Sequence, residues 1–308
     1  MIIPTGQVLN NTWTIEGPLS TRGGTATVYL AGLISNPELK ASIKFANTDG
    51  RAAVDEDVLL RHEANILSQA EWRHPGILRI YPVLHFGKPQ YVLRATDIEA
   101  EPSYFAMEFI PGGTLGQHMK QVAKFPFEWK IEFLYQLAVI LSFIHAKGYG
   151  HRDIKPDNII FRYTPAPDFV PQPILIDFAL ASDGSDDSLR LIESSFTLEY
   201  AGPERVMHAA GMMPKGYKLQ PQPQDVWSFG MLTYELFTGE LPFRGNANDI
   251  RATLIRQNFD EQFLRENPKL PGDIADLIRA ILRPDPARRP TIDRIIDLLE
   301  VKYRPPRI

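Results

Sequence analysis

Residues 150–160 read GHRDIKPDNII, crowding His151, Arg152, Asp153, Lys155, Asp157 and Asn158 around a proline and joining them directly to apolar residues. Polar groups held that close to a low-dielectric interior are costly unless they find partners or perform chemistry. Transfer of a terminal phosphate would use such a set. It needs a carboxylate to orient the attacking hydroxyl, oxygen ligands for a metal, and cations against the developing charge. Asp153, Asn158 and Lys155 supply these types within one short loop. Twenty-four residues after Asp153, ILIDFA sets Asp177 at the end of another apolar run. There it could join Asn158 around Mg2+, a hard cation that takes carboxylate and amide oxygens. Either fragment alone also reads as a capped turn beside a strand; their combination favours the chemical reading.

Two kinds of texture must position these residues. In the first third NTWTIEG, ATVYLAGLI, KASIKFA, GILRIYPVLHF and SYFAMEFI read as strands, rich in β-branched and aromatic residues and broken by Gly, Pro and Asn. One helix interrupts them: after the acidic start VDEDV, the run LLRHEANILSQA repeats apolar residues at helical spacing. From PGGTL onward the chain becomes helical. In FEWKIEFLYQLAVILSFIHA, residues Ile131, Leu134, Leu137, Leu141 and Ile144 fall three or four apart, as one buried face demands. Gly112 and Gly113 are the expected hinge between a small β-rich part and a larger helical one. TPAPDFVPQP and KGYKLQPQPQ read as proline-broken surface loops.

Composition narrows the class. With 44% apolar and 23% charged residues in 308, the chain is an ordinary globular sequence. The net charge of -4, from 33 basic and 37 acidic residues, gives no electrostatic case for nucleic acid or an anionic membrane. Without cysteine there is no disulfide and no thiolate metal site, which fits a reducing, cytoplasmic setting. MIIPTGQVLN has no basic segment ahead of an apolar run, so no secretory signal is expected, and LAVILSFI is too short to cross a bilayer.

HRDIKPDN followed by DFA resembles the catalytic core of the eukaryotic-type (Hanks-type) serine/threonine protein kinases, and nearly the whole chain can be laid on that pattern. The resemblance implies an α+β, two-lobed fold. Residues 1–110 would be a small β-rich nucleotide-binding lobe with one regulatory helix. Residues 111–308 would be a larger, mainly helical lobe with catalytic loop, activation segment and substrate platform, the two forming one kinase domain. It implies ATP and Mg2+, a protein substrate, and no partner in nucleic acid or membrane. By the resemblance Asp153 is the catalytic base, Lys155 neutralises the transferring phosphate, and Asn158 and Asp177 bind Mg2+. Lys44 in ASIKFA would hold the ATP phosphates while paired with Glu63 in RHEANIL, where the residues alone allow a solvent-facing lysine and a solvated helix glutamate. FAMEFIPGG is similar to the adenine-holding strand, Glu108 and Ile110 offering backbone bonds and Met107 bounding the pocket. Glu204 in AGPE and Arg289 in DPARRPT would form a structural ion pair. Asp225 would accept backbone hydrogen bonds from the catalytic loop.

Two departures stand out. The phosphate loop should read Gly-x-Gly-x-x-Gly-x-Val, yet TRGGTATV aligned on Val28 has Thr21, Gly23 and Ala26, with Gly24 beside them; GGTATVYLA is similar to the bacterial members of the family. Ala179 stands where DFG has glycine, and its methyl group should restrict the Asp-Phe turn. These changes favour a pseudokinase scaffold, whereas retention of Lys44, Glu63, Asp153, Lys155, Asn158 and Asp177 favours catalysis. For regulation, Arg152 would meet an anion near Glu193, Ser194 and Ser195, either a phosphoserine or the fixed carboxylate, with Thr197 contacting Asp153 and Lys155. The same stretch also reads as a solvated loop.

Overall fold

The computed structural model describes residues 2–20, 26–47, 52–85, 88–185, 196–243, 245–256 and 267–303. The chain divides into two compact units, residues 1–110 with 177–179, and residues 111–176 with 180–308. The first is built mainly of strands and the second mainly of helices, the α+β composition that the sequence predicts.

In the first unit the strands are β1 (Val8–Leu9), β2 (Trp13–Ser20), β3 (Ala26–Leu33), β4 (Asn36–Ala46), β5 (Ile80–Tyr81), β6 (Val83–His85), β7 (Lys88–Gln90), β8 (Leu93–Arg94) and β9 (Ser103–Glu108). A seven-stranded sheet runs β1-β2-β3-β4-β9-β5, with β8 also on β9, and every pairing is antiparallel. β6 and β7 form a separate hairpin. Alternation buries one face: Ile15, Ala31, Ile43, Phe45, Tyr104 and Ala106 share one core. Tyr29 meets Phe45 edge-on at 5.9 Å between ring centres. The expected single strand GILRIYPVLHF appears as the two short strands β5 and β6, because Pro82 has no N–H to give a ladder. Helix α1 (Ala52–Ser68) follows β4, and a 3-10 turn, Ala70–Trp72, buries Trp72.

The second unit contains α2 (Leu115–Val122), α3 (Phe127–Ala146), the antiparallel pair β10 (Ile159–Phe161) and β11 (Pro173–Leu175), then α4 (Pro203–Ala209), α5 (Pro221–Thr238), α6 (Ala247–Arg256), α7 (Gly272–Ile281) and α8 (Ile292–Tyr303). α3 buries the five residues whose spacing predicts its inner face. α5 is buried almost all round, as a central helix must be. It starts at Pro221, inside the stretch KGYKLQPQPQ expected as loop, since proline in a first turn gives up an N–H that has no helical partner anyway. It stops at Gly239, whose φ of 78° is left-handed and favours a residue without a side chain. The loop TPAPDFVPQP is tied down by the Trp129 indole, which donates to the Phe169 carbonyl at 3.0 Å.

The glycine pair expected as a hinge lies just past the boundary between the units, which falls after Ile110. Gly112 is pressed so close to β10 that a Cβ there would lie 2.2 Å from the Phe161 carbonyl oxygen. Gly113 accepts the Phe161 N–H at 2.9 Å. Among the described residues no helix is long and apolar enough to cross a membrane.

Candidate active site

Lys44 is mid-strand on β4, its Cα opposite Val28 on β3 and Phe105 on β9. The rigid sheet therefore fixes where its side chain begins. Its ammonium donates to Glu63 Oε2 at 2.6 Å and to Asp177 Oδ1 at 2.9 Å, all three within the first unit. Burial would lower the Lys44 pKa, but the charges of Asp177 and Glu63 outweigh it and raise it above the ordinary lysine value. The partners pull in opposite senses, since burial raises the Glu63 carboxyl while Lys44 lowers it. The ion pair is the state we assign, because Glu63 is fully buried and receives both Lys44 and the Phe178 N–H at 3.2 Å, donors that suit an anion. Phe178 is itself fully buried and meets Trp72 edge-on at 5.9 Å. The left-handed backbone at this turn falls on Asp177, with φ 66°, and not on Ala179, so the extra methyl group is tolerated in this arrangement.

In the second unit the loop before β10 is held from below by α5. Asp225 is fully buried at the start of α5; it takes the N–H of His151 on Oδ2 and of Arg152 on Oδ1, both at 2.7 Å. The expected hold of Asp225 on the loop is thus exerted through the backbone N–H groups of residues 151 and 152. His145, at the end of α3, lies 3.0 Å from the same Oδ2. His151 is fully buried, and its Nε2 donates to the Ile176 carbonyl at 3.0 Å. Nδ1 is then the acceptor, facing the Asp153 N–H at 3.4 Å. Arg152 is left-handed, φ 68°, a conformation that costs about 1–2 kcal/mol for a residue with a side chain and persists where surrounding bonds impose it.

These restraints deliver one cluster. Asp153 Oδ2 receives Lys155 Nζ at 2.7 Å and Asn158 Nδ2 at 2.8 Å, while its Oδ1 receives the Thr197 hydroxyl at 3.2 Å. Lys155 also donates to Thr197 at 2.8 Å, so the hydroxyl accepts from the cation and gives its proton to the carboxylate. Asn158 turns its NH2 toward Asp153, which leaves its amide oxygen as the end able to meet a cation. The Asp177 carboxylate is about one-third exposed, at 31%. Both are hard oxygen donors of the kind Mg2+ takes alongside phosphate oxygens. Behind the cluster, Glu204 and Arg289 form a buried two-pronged pair, 2.7 Å for each bond, with the guanidinium 4.9 Å from the Trp227 ring.

Residues 21–299 match the family model described as the protein kinase domain. The chain belongs to the protein kinase family. Similar proteins include the serine/threonine-protein kinase PKH3 of Eremothecium gossypii, 30% identical over 76% of this chain and 28% of its own length. The Aurora kinase of Schizosaccharomyces pombe is 30% identical over 77% of this chain and 57% of its own length. The probable serine/threonine-protein kinase PknB of Lactococcus lactis is 25% identical over 83% and 36%. The chain spans less than two-thirds of the length of each of these relatives.

Members of this family use ATP with Mg2+. In this kinase chain Met107 and Glu108 end β9, half-buried, and the Ile110 side chain is buried. The Glu108 N–H is engaged by the Arg79 carbonyl at 2.9 Å, so an adenine could take only an acceptor from this residue. Gly23 and Gly24 of the phosphate loop, and Glu193, Ser194 and Ser195 of the activation segment, lie outside the described residues. Several contributors escaped the sequence reading. Trp72 meets Phe178 edge-on, and carries no signal of its own in the sequence. Tyr200 donates to Glu235 on α5 in a short hydrogen bond, and burial followed by the Glu235 charge raises the phenol well above its usual range. His145 and Arg205 carry no signal apart from their closeness to motif residues.

Proposed function

We propose that the chain is a serine/threonine protein kinase that transfers the γ-phosphate of Mg·ATP to a protein hydroxyl. The observation that carries this reading is the Asp153 carboxylate, aimed by three side-chain donors from Lys155, Asn158 and Thr197. A carboxylate so held can orient an acceptor hydroxyl and take its proton, while Lys155 beside it offsets charge on the transferring phosphoryl group. Lys44, kept cationic by two carboxylates, would grip the nucleotide phosphates with Glu63 holding it in place. Asp177 and Asn158 would hold Mg2+, which supplies positive charge against the phosphate oxygens. The relatives named as serine/threonine kinases and the lysine of DIKPDN support a serine or threonine acceptor over tyrosine. Ala179 does not favour a scaffold without turnover, since the left-handed residue of the turn is Asp177.

The regulatory reading is that Arg152 receives an anion from the activation segment, and we prefer phosphoserine at 194 or 195 to the carboxylate of Glu193. Arg152 lines a cavity of about 290 Å³ with His208, Lys215 and Lys218, a setting that supports an anionic occupant. Activity that survives phosphatase and the Ser194→Ala/Ser195→Ala double change, but falls with Glu193→Gln, reverses that preference. The catalytic reading is tested with Lys44→Met and labelled Mg·ATP. Transfer onto serine or threonine of a generic protein should drop by orders of magnitude while circular dichroism and melting stay near wild type. A variant that unfolds instead makes Lys44 a structural residue, and label found on tyrosine removes the hydroxyl assignment.

A further inference from the structure

Arg205 lies in the first turn of α4, immediately after the structural Glu204, and is 2% exposed. A cation gains nothing from that end of a helix, where unpaired N–H groups already carry partial positive charge. Burial of a guanidinium there needs other partners. Its Nη1 donates to the Arg152 carbonyl at 2.6 Å and to Gln224 Oε1 at 3.3 Å, and its Cζ lies 5.0 Å from the Phe196 ring centre.

These contacts place Arg205 at one point of the loop that matters more than its neighbours. The Arg152 carbonyl belongs to the peptide plane that ends at the Asp153 nitrogen. On the other side of the left-handed residue, the Arg152 N–H is fixed by Asp225. A residue in a rarely populated conformation keeps it only when both flanking peptides are fixed. Asp225 fixes the first plane, and Arg205 holds the carbonyl end of the second, whose N–H end faces His151 Nδ1 at the longer distance of 3.4 Å. Both answer to the start of α5, since Gln224 precedes Asp225 in that helix. The second plane sets the direction in which the Asp153 side chain leaves the backbone. Through Phe196, which precedes Thr197, the same guanidinium also senses whether the activation segment is seated.

We propose that Arg205 is a positioning residue for phosphoryl transfer: it fixes the peptide plane that aims Asp153 and couples that plane to the seating of Phe196 and Thr197. It touches no substrate. The proposal rests on the kinase reading above, and deepens it.

The test compares the wild-type chain with Arg205→Gln, Arg205→Lys and Phe196→Leu. Measured are kcat, KM for ATP, affinity for a fluorescent ATP analogue, and melting temperature. Wild-type transfer is the control for the kinase reading itself: no transfer by any form removes that reading, and this proposal with it. With wild-type activity present, Arg205→Gln should lower kcat by about ten- to a hundredfold, with KM for ATP and analogue affinity within about threefold of wild type. Arg205→Lys keeps the charge and a hydrogen-bonding ammonium but not the planar guanidinium, and should recover part of that loss. Phe196→Leu should lower kcat less, and should add little to Arg205→Gln in the double variant, because both break one coupling. Should Arg205→Gln not fold, the lysine and leucine variants carry the test alone, each with a reduced kcat at unchanged nucleotide affinity. Wild-type kcat in the lysine and leucine variants overturns the proposal. So does a loss of analogue affinity and melting temperature in parallel with kcat, which is the signature of a packing role.

Discussion

A carboxyl half-sunk among apolar neighbours holds its proton longer than one in water, and Glu235 is such a group. Burial raises its pKa first, the Tyr200 hydroxyl pulls it back, and the charge of Asp157 raises it further. A raised pKa stabilises the fold below the unfolded value of 4.5, and that stability is lost as pH rises through the folded value. Glu235→Gln keeps an acceptor for Tyr200 but cannot ionise. Denaturant midpoints should therefore match wild type near pH 4 and exceed it at pH 8; a gap that narrows with rising pH would mean the carboxylate is welcome where it lies. At Ala179 the expected outcome is different in kind. Ala179→Gly should cost about 0.4–1 kcal/mol through the unfolded chain, and should tighten binding of ligands that displace Phe178 from Trp72. Unchanged affinities across a panel of such ligands would make the methyl silent. Asp153, Lys155, Asn158 and Asp177 were legible as candidates because their types and order are those that phosphate chemistry needs, whereas Lys44 was reached only through the family resemblance. Trp72 and His145 were not legible, because a buried aromatic or imidazole acting through a neighbour looks in sequence like any core residue.

Among elements, α5 anchors the second unit, and its surroundings are close-packed enough to be tested by single atoms. A Cβ at Gly230 would lie 2.4 Å from Ile281 Cγ2, a stiff branched methyl on α7, and 2.9 Å from Leu282 Cδ2. Gly230→Ala should destabilise by about 1–3 kcal/mol in spite of a helix-propensity gain of about 1 kcal/mol. A net gain in denaturant melts would show that α7 can yield. Glu204→Gln leaves the Arg289 guanidinium buried without its anion, and should cost about 3–5 kcal/mol. A loss under 1 kcal/mol would show that the carbonyls of Arg283, Pro223 and Pro284 satisfy Arg289 by themselves. α3 was readable from periodicity alone because it has one long buried face. β1 was not, since two residues carry no period, and the start of α5 was hidden by prolines that mark a first turn as readily as a loop.

At the scale of the whole molecule, the groups proposed for phosphate chemistry are divided between the two units: Lys44, Glu63 and Asp177 in the first, Asp153, Lys155, Asn158 and Thr197 in the second. That division makes binding and chemistry separable by mutation. Asp153 should act on the acceptor hydroxyl and not on the nucleotide. Wild-type chain and Asp153→Asn, incubated with labelled Mg·ATP and a generic protein substrate, should therefore differ by about a thousandfold or more in transfer while binding a nucleotide analogue with affinities within a few-fold of each other. Equal labelling of the substrate by the two forms would contradict the assignment of Asp153, and with it the proposed chemistry.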